Sequence, residues 1–304
     1  MNRSTIVQTY RERVEELSVS RPARTHEVRV DGLSLTCRLY GRGPLCVVHP
    51  GGPGAHWEYL RIPLAERELT MAYLEPAGTG ASGSPRPGAA YDLTTYVRHL
   101  HAVIEHVGAD PVFVLGHGHG GAVAQGYALA HPGRLAGLVL YATGPAAGAA
   151  TAAAIRDRLR DYAVDNSYTP ALASWDRPAG PGEAEATRRE RDLFPAYFAD
   201  YWRREAEFAP VRDGARAWPA PAAAFDVRSA LPSITAPTLV LAGARDLFFP
   251  SGAAGELHDG IPGSRLATFQ HSGHFAHLEE SERFAHLLLE FTRRVTGPYR
   301  VQRR

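Results

Sequence analysis

Short apolar runs alternating with longer helix-patterned stretches constrain this chain more than any other feature. Thr25–Val30, Leu33–Tyr40, Leu45–His49, Thr70–Glu75, Pro111–Gly116, Leu135–Tyr141, Thr238–Ala242 and Arg265–Phe269 read as strands. Helical stretches fall near His56–Arg67, Leu93–Val107, His119–Ala130, Ala253–Leu257 and His277–Val295. A strand that is apolar along its whole length must be covered on both faces, and strand–helix–strand order covers a parallel sheet in that way. The pattern predicts an α/β fold with a mostly parallel sheet of about eight strands, helices on both faces and right-handed crossovers. Asp31-Gly32, between the first two runs, signals a tight hairpin.

The alternation breaks between Gly144 and Arg228, where Ala/Arg/Glu-rich stretches are interrupted by Pro and Gly and carry a dense set of aromatic residues. This reads as a helical insertion over the C-terminal edge of the sheet, where open α/β sheets bind ligands. The expected organisation is an N-terminal helical extension at 1–24, a core formed by 25–143 and 229–304, and a helical lid at 144–228. Most of the aromatic residues build the lid's own core. Trp175 and Tyr197, with Trp57, His117 and Phe248 from the core, are expected to contact substrate. The arginines of 156–160 and 188–191 read as a solvated face, and Glu205 and Glu207 as candidates for contacting an amine or as ordinary surface residues.

Composition removes several chemistries. All 33 basic residues are arginine, so no Schiff-base lysine and no phosphate-gripping P-loop lysine can exist. With 32 acidic residues the net charge is +1, which calls for no nucleic-acid partner. Cys37 and Cys46 lie in apolar runs and read as buried thiols. No uninterrupted apolar stretch reaches the roughly 18 residues of a membrane span, and the first residues lack the apolar core of a signal peptide. A cytoplasmic protein acting on a small molecule, without metal or cofactor, is expected; the histidines at 117, 119, 271 and 277 are explained by their place in motifs.

The sharpest motif is Gly116-His117-Gly118-His119-Gly120-Gly121, directly after one strand and directly before a helix. Small residues on both sides permit the abrupt strand-to-helix turn of a nucleophile elbow, but Gly118, at its centre, carries no side chain. Further motifs follow in order: His49-Pro50-Gly51-Gly52-Pro53-Gly54, Gly78-Thr79-Gly80-Ala81-Ser82, Leu241 to Asp246, and Ser272-Gly273-His274. Together they resemble the α/β-hydrolase fold, and within it the chain is similar to the proline iminopeptidase group, with Pro50 where that group usually has His. The resemblance implies Asp246 as orienting acid and His274 as general base. It also implies an oxyanion hole from the backbone N–H of His119 together with that of Gly51 or Gly52.

Gly118 removes the acyl-enzyme route of the resembled family. What remains is a His–Asp pair facing backbone donors, sufficient for moving a proton while stabilising an oxyanion. Elimination, cyclisation, decarboxylation or cofactor-free oxygenation of a small, largely apolar metabolite of secondary metabolism is expected. The elbow also resembles that of cofactor-independent dioxygenases of this fold, in which the pair acts as a base. The alternatives are hydrolysis by a His-activated water, an engineered Ser-to-Gly form of a serine hydrolase, and a ligand-binding protein without catalysis.

Overall fold

The computed structural model describes residues 24–85, 92–108, 111–163, 167–177, 180, 182–220 and 223–297; the expected N-terminal helical extension lies almost wholly outside them. The core is an eight-stranded sheet in the order β1-β2-β4-β3-β5-β6-β9-β10. Its strands are β1 (Arg24–Val30), β2 (Leu33–Gly41), β3 (Leu45–His49), β4 (Thr70–Glu75), β5 (Val112–His117), β6 (Leu135–Tyr141), β9 (Thr238–Gly243) and β10 (Arg265–Phe269). β1 and β2 form the hairpin, its turn held by Asp31 and Gly32 at φ 53° and 76°, and β2 is antiparallel to β4. From β4 to β10 every pairing is parallel.

Alternation along each strand builds two cores. In β5, Val112 and Val114 face one side of the sheet while Phe113 and Leu115 face the other. The first side is covered by α1 (Leu93–Val107), α2 (His119–Ala130) and α7 (Ser251–Gly260), and the second by α8 (Ser281–Thr296) with the segment around Trp57–Ile62. Asp92 caps α1 by accepting the Thr95 N–H, and Gly108 closes it in the left-handed conformation.

The helix expected over 56–67 is instead a 3-10 turn, Trp57–Leu60, and a separate short helix, Pro63–Glu66. Pro63 is the cause: it starts the second helix and holds Ile62 out of the helical region.

Between β6 and β9 the chain forms a helical insertion with α3 (Ala149–Tyr162), α4 (Thr169–Asp176), α5 (Glu183–Leu193) and α6 (Glu205–Gly214). Its two ends are clipped together where β7 (Ala146–Ala147) pairs antiparallel with β8 (Phe225–Asp226), and Val227 N–H donates to Pro145 O. The insertion therefore leaves and re-enters the core at one neck, beside the C-terminal ends of β5 and β6.

Candidate active site

β5 ends at His117 and α2 begins at His119, so the whole reversal falls on Gly118, at φ 51° and ψ −117°. That left-handed φ strains any residue with a Cβ. Gly116 is required for a different reason: a Cβ there would lie 2.2 Å from Gly120 O. The turn is pinned from β6, since Gly118 N–H donates to Tyr141 O (3.0 Å) and Thr143 Oγ1 donates to Gly118 O (2.7 Å).

Asp246 lies in the turn after β9, and His274 in the loop after β10. Asp246 Oδ1 accepts the N–H groups of Phe248 (2.7 Å) and Phe249 (3.0 Å), which aims Oδ2 at His274 Nδ1, 2.8 Å away. With a carboxylate opposite Nδ1, the Nδ1–H tautomer satisfies the pair and leaves Nε2 as the free acceptor. That Nε2 faces the elbow: a Cβ placed on Gly118 would stand 3.5 Å from it.

A second layer supports the imidazole. His117 packs against His274, with ring centroids 4.4 Å apart and planes tilted at 54°, and donates from Nε2 to His274 O (3.2 Å). Its Nδ1 then accepts the Tyr59 hydroxyl (2.7 Å), and Tyr59 Oη accepts Gly51 N–H (2.7 Å). Burial holds His117 well below the usual imidazole range, so it stays neutral, as its acceptor nitrogen requires. His277 is likewise neutral, its pKa lowered by burial to about 4, and bridges Tyr141 Oη and Tyr59 O.

The insertion grips the same loop. Tyr197 O accepts the N–H groups of His274 (2.7 Å) and Phe275 (3.2 Å). The Glu279 carboxylate takes Gly273 N–H on one oxygen (2.7 Å) and Ala199 N–H on the other (2.9 Å), although burial pushes its pKa up to about 7.

A cavity of about 620 Å³ lies between insertion and core, within the size range of small-ligand sites. Gly52, Gly118, His119 and His274 form its floor, and Trp175, Leu193, Tyr197, Trp218, Phe248 and Phe249 much of its apolar wall. At the start of α2, His119 N–H belongs to the first turn, which has no helical carbonyl to bond.

Three expected contacts are absent from this wall. Trp57 is 2% exposed and packs against Tyr40 and Tyr73 in the core beneath the sheet, where its large apolar ring is removed from water. His117 lies beneath His274, where its neutral ring carries hydrogen bonds to Tyr59 and the loop. Gly51 N–H is already given to Tyr59, and of the two loop residues that line the cavity, Gly52 and Pro53, only Gly52 has an N–H to offer. Glu205 and Glu207 pair with Arg212 and Arg204 outside the cavity, whereas Arg189 and Glu190, within the stretch read as solvated, line it. Among the described residues no cluster of three His, Cys, Asp or Glu side chains could hold a metal ion, and no helix is long and apolar enough to cross a membrane.

Comparison with known proteins fits this geometry. Residues 44–281 match the family described as alpha/beta hydrolase fold. The chain belongs to that family. Among the relatives of this α/β hydrolase is a Variovorax paradoxus protein provisionally named carbamate hydrolase RutD, 30% identical over 82% of the chain and 90% of its own length. A proline iminopeptidase of Saccharolobus solfataricus is 27% identical over 88% of the chain and 91% of its own length. In three dimensions the proline iminopeptidase of Mycobacterium smegmatis superposes with a TM-score of 0.66 at 21% identity, covering 90% of this chain and 98% of that one.

Proposed function

We propose that this α/β hydrolase is an enzyme of non-covalent acid–base chemistry on a small, largely apolar molecule. His274 is its general base, oriented by Asp246, and the backbone N–H groups of His119 and Gly52 are its oxyanion donors. The observation that carries this reading is the pairing of an aligned imidazole with Gly118: Nε2 is aimed at a position that has no hydroxyl to activate, so the proton it takes comes from the bound molecule. Apolar walls and a floor of backbone donors suit a substrate whose deprotonation places negative charge on oxygen, as in elimination, cyclisation, decarboxylation or cofactor-free oxygenation.

A second reading, hydrolysis by a water deprotonated at Nε2, is favoured by the hydrolase and peptidase names of the relatives. Product analysis in H₂¹⁸O separates the two: hydrolysis places one solvent oxygen in the product, and elimination or cyclisation places none. His274→Ala should abolish turnover in both cases, and full activity in that variant would refute both.

A further inference from the structure

Glu190, on α5, differs from the other glutamates of the insertion. Glu183 pairs with Arg216, Glu185 with Arg188 and Arg177, Glu205 with Arg212, and Glu207 with Arg204. Among the described residues Glu190 has no such cation, even though Arg189 is its neighbour. That guanidinium instead donates to Arg177 O and lies over the Trp175 ring. The Glu190 carboxyl receives the Tyr197 hydroxyl on Oε2 (3.2 Å) and lines the same cavity as Gly118 and His274. Tyr197 also stacks its ring on His274, with centroids 5.6 Å apart and planes at 29°. One aromatic side chain therefore spans from the imidazole to the carboxyl.

The surroundings favour the protonated form of that carboxyl. Burial raises its pKa to about 7, against the opposing effects of the Tyr197 hydrogen bond and the Arg189 charge; a proton on His274 opposes it as well. Tyr59 also lies within its electrostatic reach, and Glu185 and Arg177 share the cavity wall. A neutral carboxyl that accepts the tyrosine hydroxyl on one oxygen has its own O–H to donate from the other. A cationic ligand suits this wall poorly, because Arg177 and Arg189 line it as well.

We propose, on the basis of the general-base reading above, that Glu190 is the acid working opposite His274, in a cavity that takes neutral substrates with a departing or rearranging oxygen. His274 Nε2 takes the proton of a C–H bond, and the electron pair of that bond forms the new π bond. The electron pair of the breaking C–O or N–O bond goes to oxygen, which takes the Glu190 proton. The resulting imidazolium and carboxylate return to their starting states by proton exchange with solvent once product leaves. Two groups with separate roles, one taking a proton and one giving it, then perform one elimination.

The Kemp elimination of 1,2-benzisoxazoles tests this directly, because a base removes the C–H proton while the N–O bond breaks to a phenolate. Unsubstituted 1,2-benzisoxazole has a basic leaving oxygen that needs an acid, and the 5-nitro derivative has a weakly basic one that does not. The wild-type protein should turn over both, and His274→Ala should abolish both. Glu190→Gln should lower kcat/KM about 100-fold on the unsubstituted probe and within about threefold on the nitro probe. Its pH profile should lose the fall in rate above neutral pH. Glu190→Asp, which keeps an acid, should restore part of the loss on the unsubstituted probe. Equal losses on both probes, or none, overturn the role of Glu190 while leaving the base in place. Benzylammonium binding that disappears in Glu190→Gln would assign the carboxyl to cation recognition and overturn it too. A wild type no faster than His274→Ala refutes the general-base reading, and this inference with it.

Discussion

Placing a hydroxyl at the elbow, by Gly118→Ser, measures how far the surrounding groups can support a covalent site. At φ 51° and ψ −117°, a residue with a Cβ pays about 1–3 kcal/mol in backbone strain. A domain stable by about 5–15 kcal/mol remains folded at that cost, with a Tm lower by roughly 2–4 °C for each kcal/mol. Space is not a barrier: the nearest atoms to the new Cβ are His274 Nε2 at 3.5 Å and Gly51 Cα at 3.7 Å, ordinary van der Waals separations. A hydroxyl beyond that Cβ can come within hydrogen-bonding reach of Nε2, about 2.6–3.2 Å, which is what activation by a general base requires. The variant should acquire a 4-nitrophenyl acetate burst, a steady esterase rate raised at least about 100-fold, and a single phosphonyl adduct at residue 118 after fluorophosphonate treatment. The wild type should carry no label at 118, and the double variant Gly118→Ser/His274→Ala should lose both burst and label. A folded Gly118→Ser variant that is neither labelled nor active would refute the claim that Nε2 is free and aimed at the elbow.

Asp246→Asn places an amide where Nδ1–H needs an acceptor and should lower turnover of the elimination probes by up to about 10⁴-fold with little change in KM, measured by steady-state kinetics. Glu190 gives a signed pH effect on stability. Its proton is held to about pH 7 in the folded chain, against 4.5 for a solvated glutamate, so the folded state binds more protons between these values and its stability falls as pH rises through them. Denaturant titrations should therefore show Glu190→Gln more stable than wild type by about 1–3 kcal/mol at pH 8, with the difference disappearing near pH 4. Tyr59→Phe leaves Gly51 N–H and His117 Nδ1 without partners and should cost about 1–3 kcal/mol in the same assay. Trp218→Ala should weaken ligand binding with a modest effect on folding, whereas Trp57→Ala should destabilise by about 3–5 kcal/mol without reshaping the cavity.

Strands were the most legible part of the sequence because their apolar runs are short, continuous and bounded by Gly, Pro or Asp, and their observed limits differ by a residue or two from the reading. Gly118, Asp246 and His274 were legible as motif residues because each sits where a strand ends and the chain must turn. Side-chain destinations were less readable. Trp57 follows the glycine-rich loop and His117 sits within the elbow motif, yet packing turns both rings inward, and nothing in their local pattern distinguishes a buried aromatic from an exposed one. Glu190 was hidden for the opposite reason. Its neighbours Arg188, Arg189 and Arg191 give the segment the charge density of a solvated face, and only the packing of α5 beside α4 within the insertion places Arg189 and Glu190 on the cavity wall. Gly51 was named as an alternative donor to Gly52, and the Tyr59 hydroxyl that occupies it comes from a residue with no motif of its own.

The backbone around His274 is hung partly on the insertion. Tyr197 O receives the N–H of His274 itself, and Glu279 ties the preceding Gly273 to Ala199. The segment that roofs the cavity and the loop that carries the imidazole are therefore bonded to each other: lifting residues 197–199 away would break hydrogen bonds at His274 and at the Glu279 carboxylate that holds Gly273. Opening this side of the roof and misaligning the base are a single event. Ligand entry that preserves the geometry must pass elsewhere, such as the neck side lined by Ala147, Ala224 and Phe225, and a closed roof becomes a condition for proton transfer as well as a barrier to water.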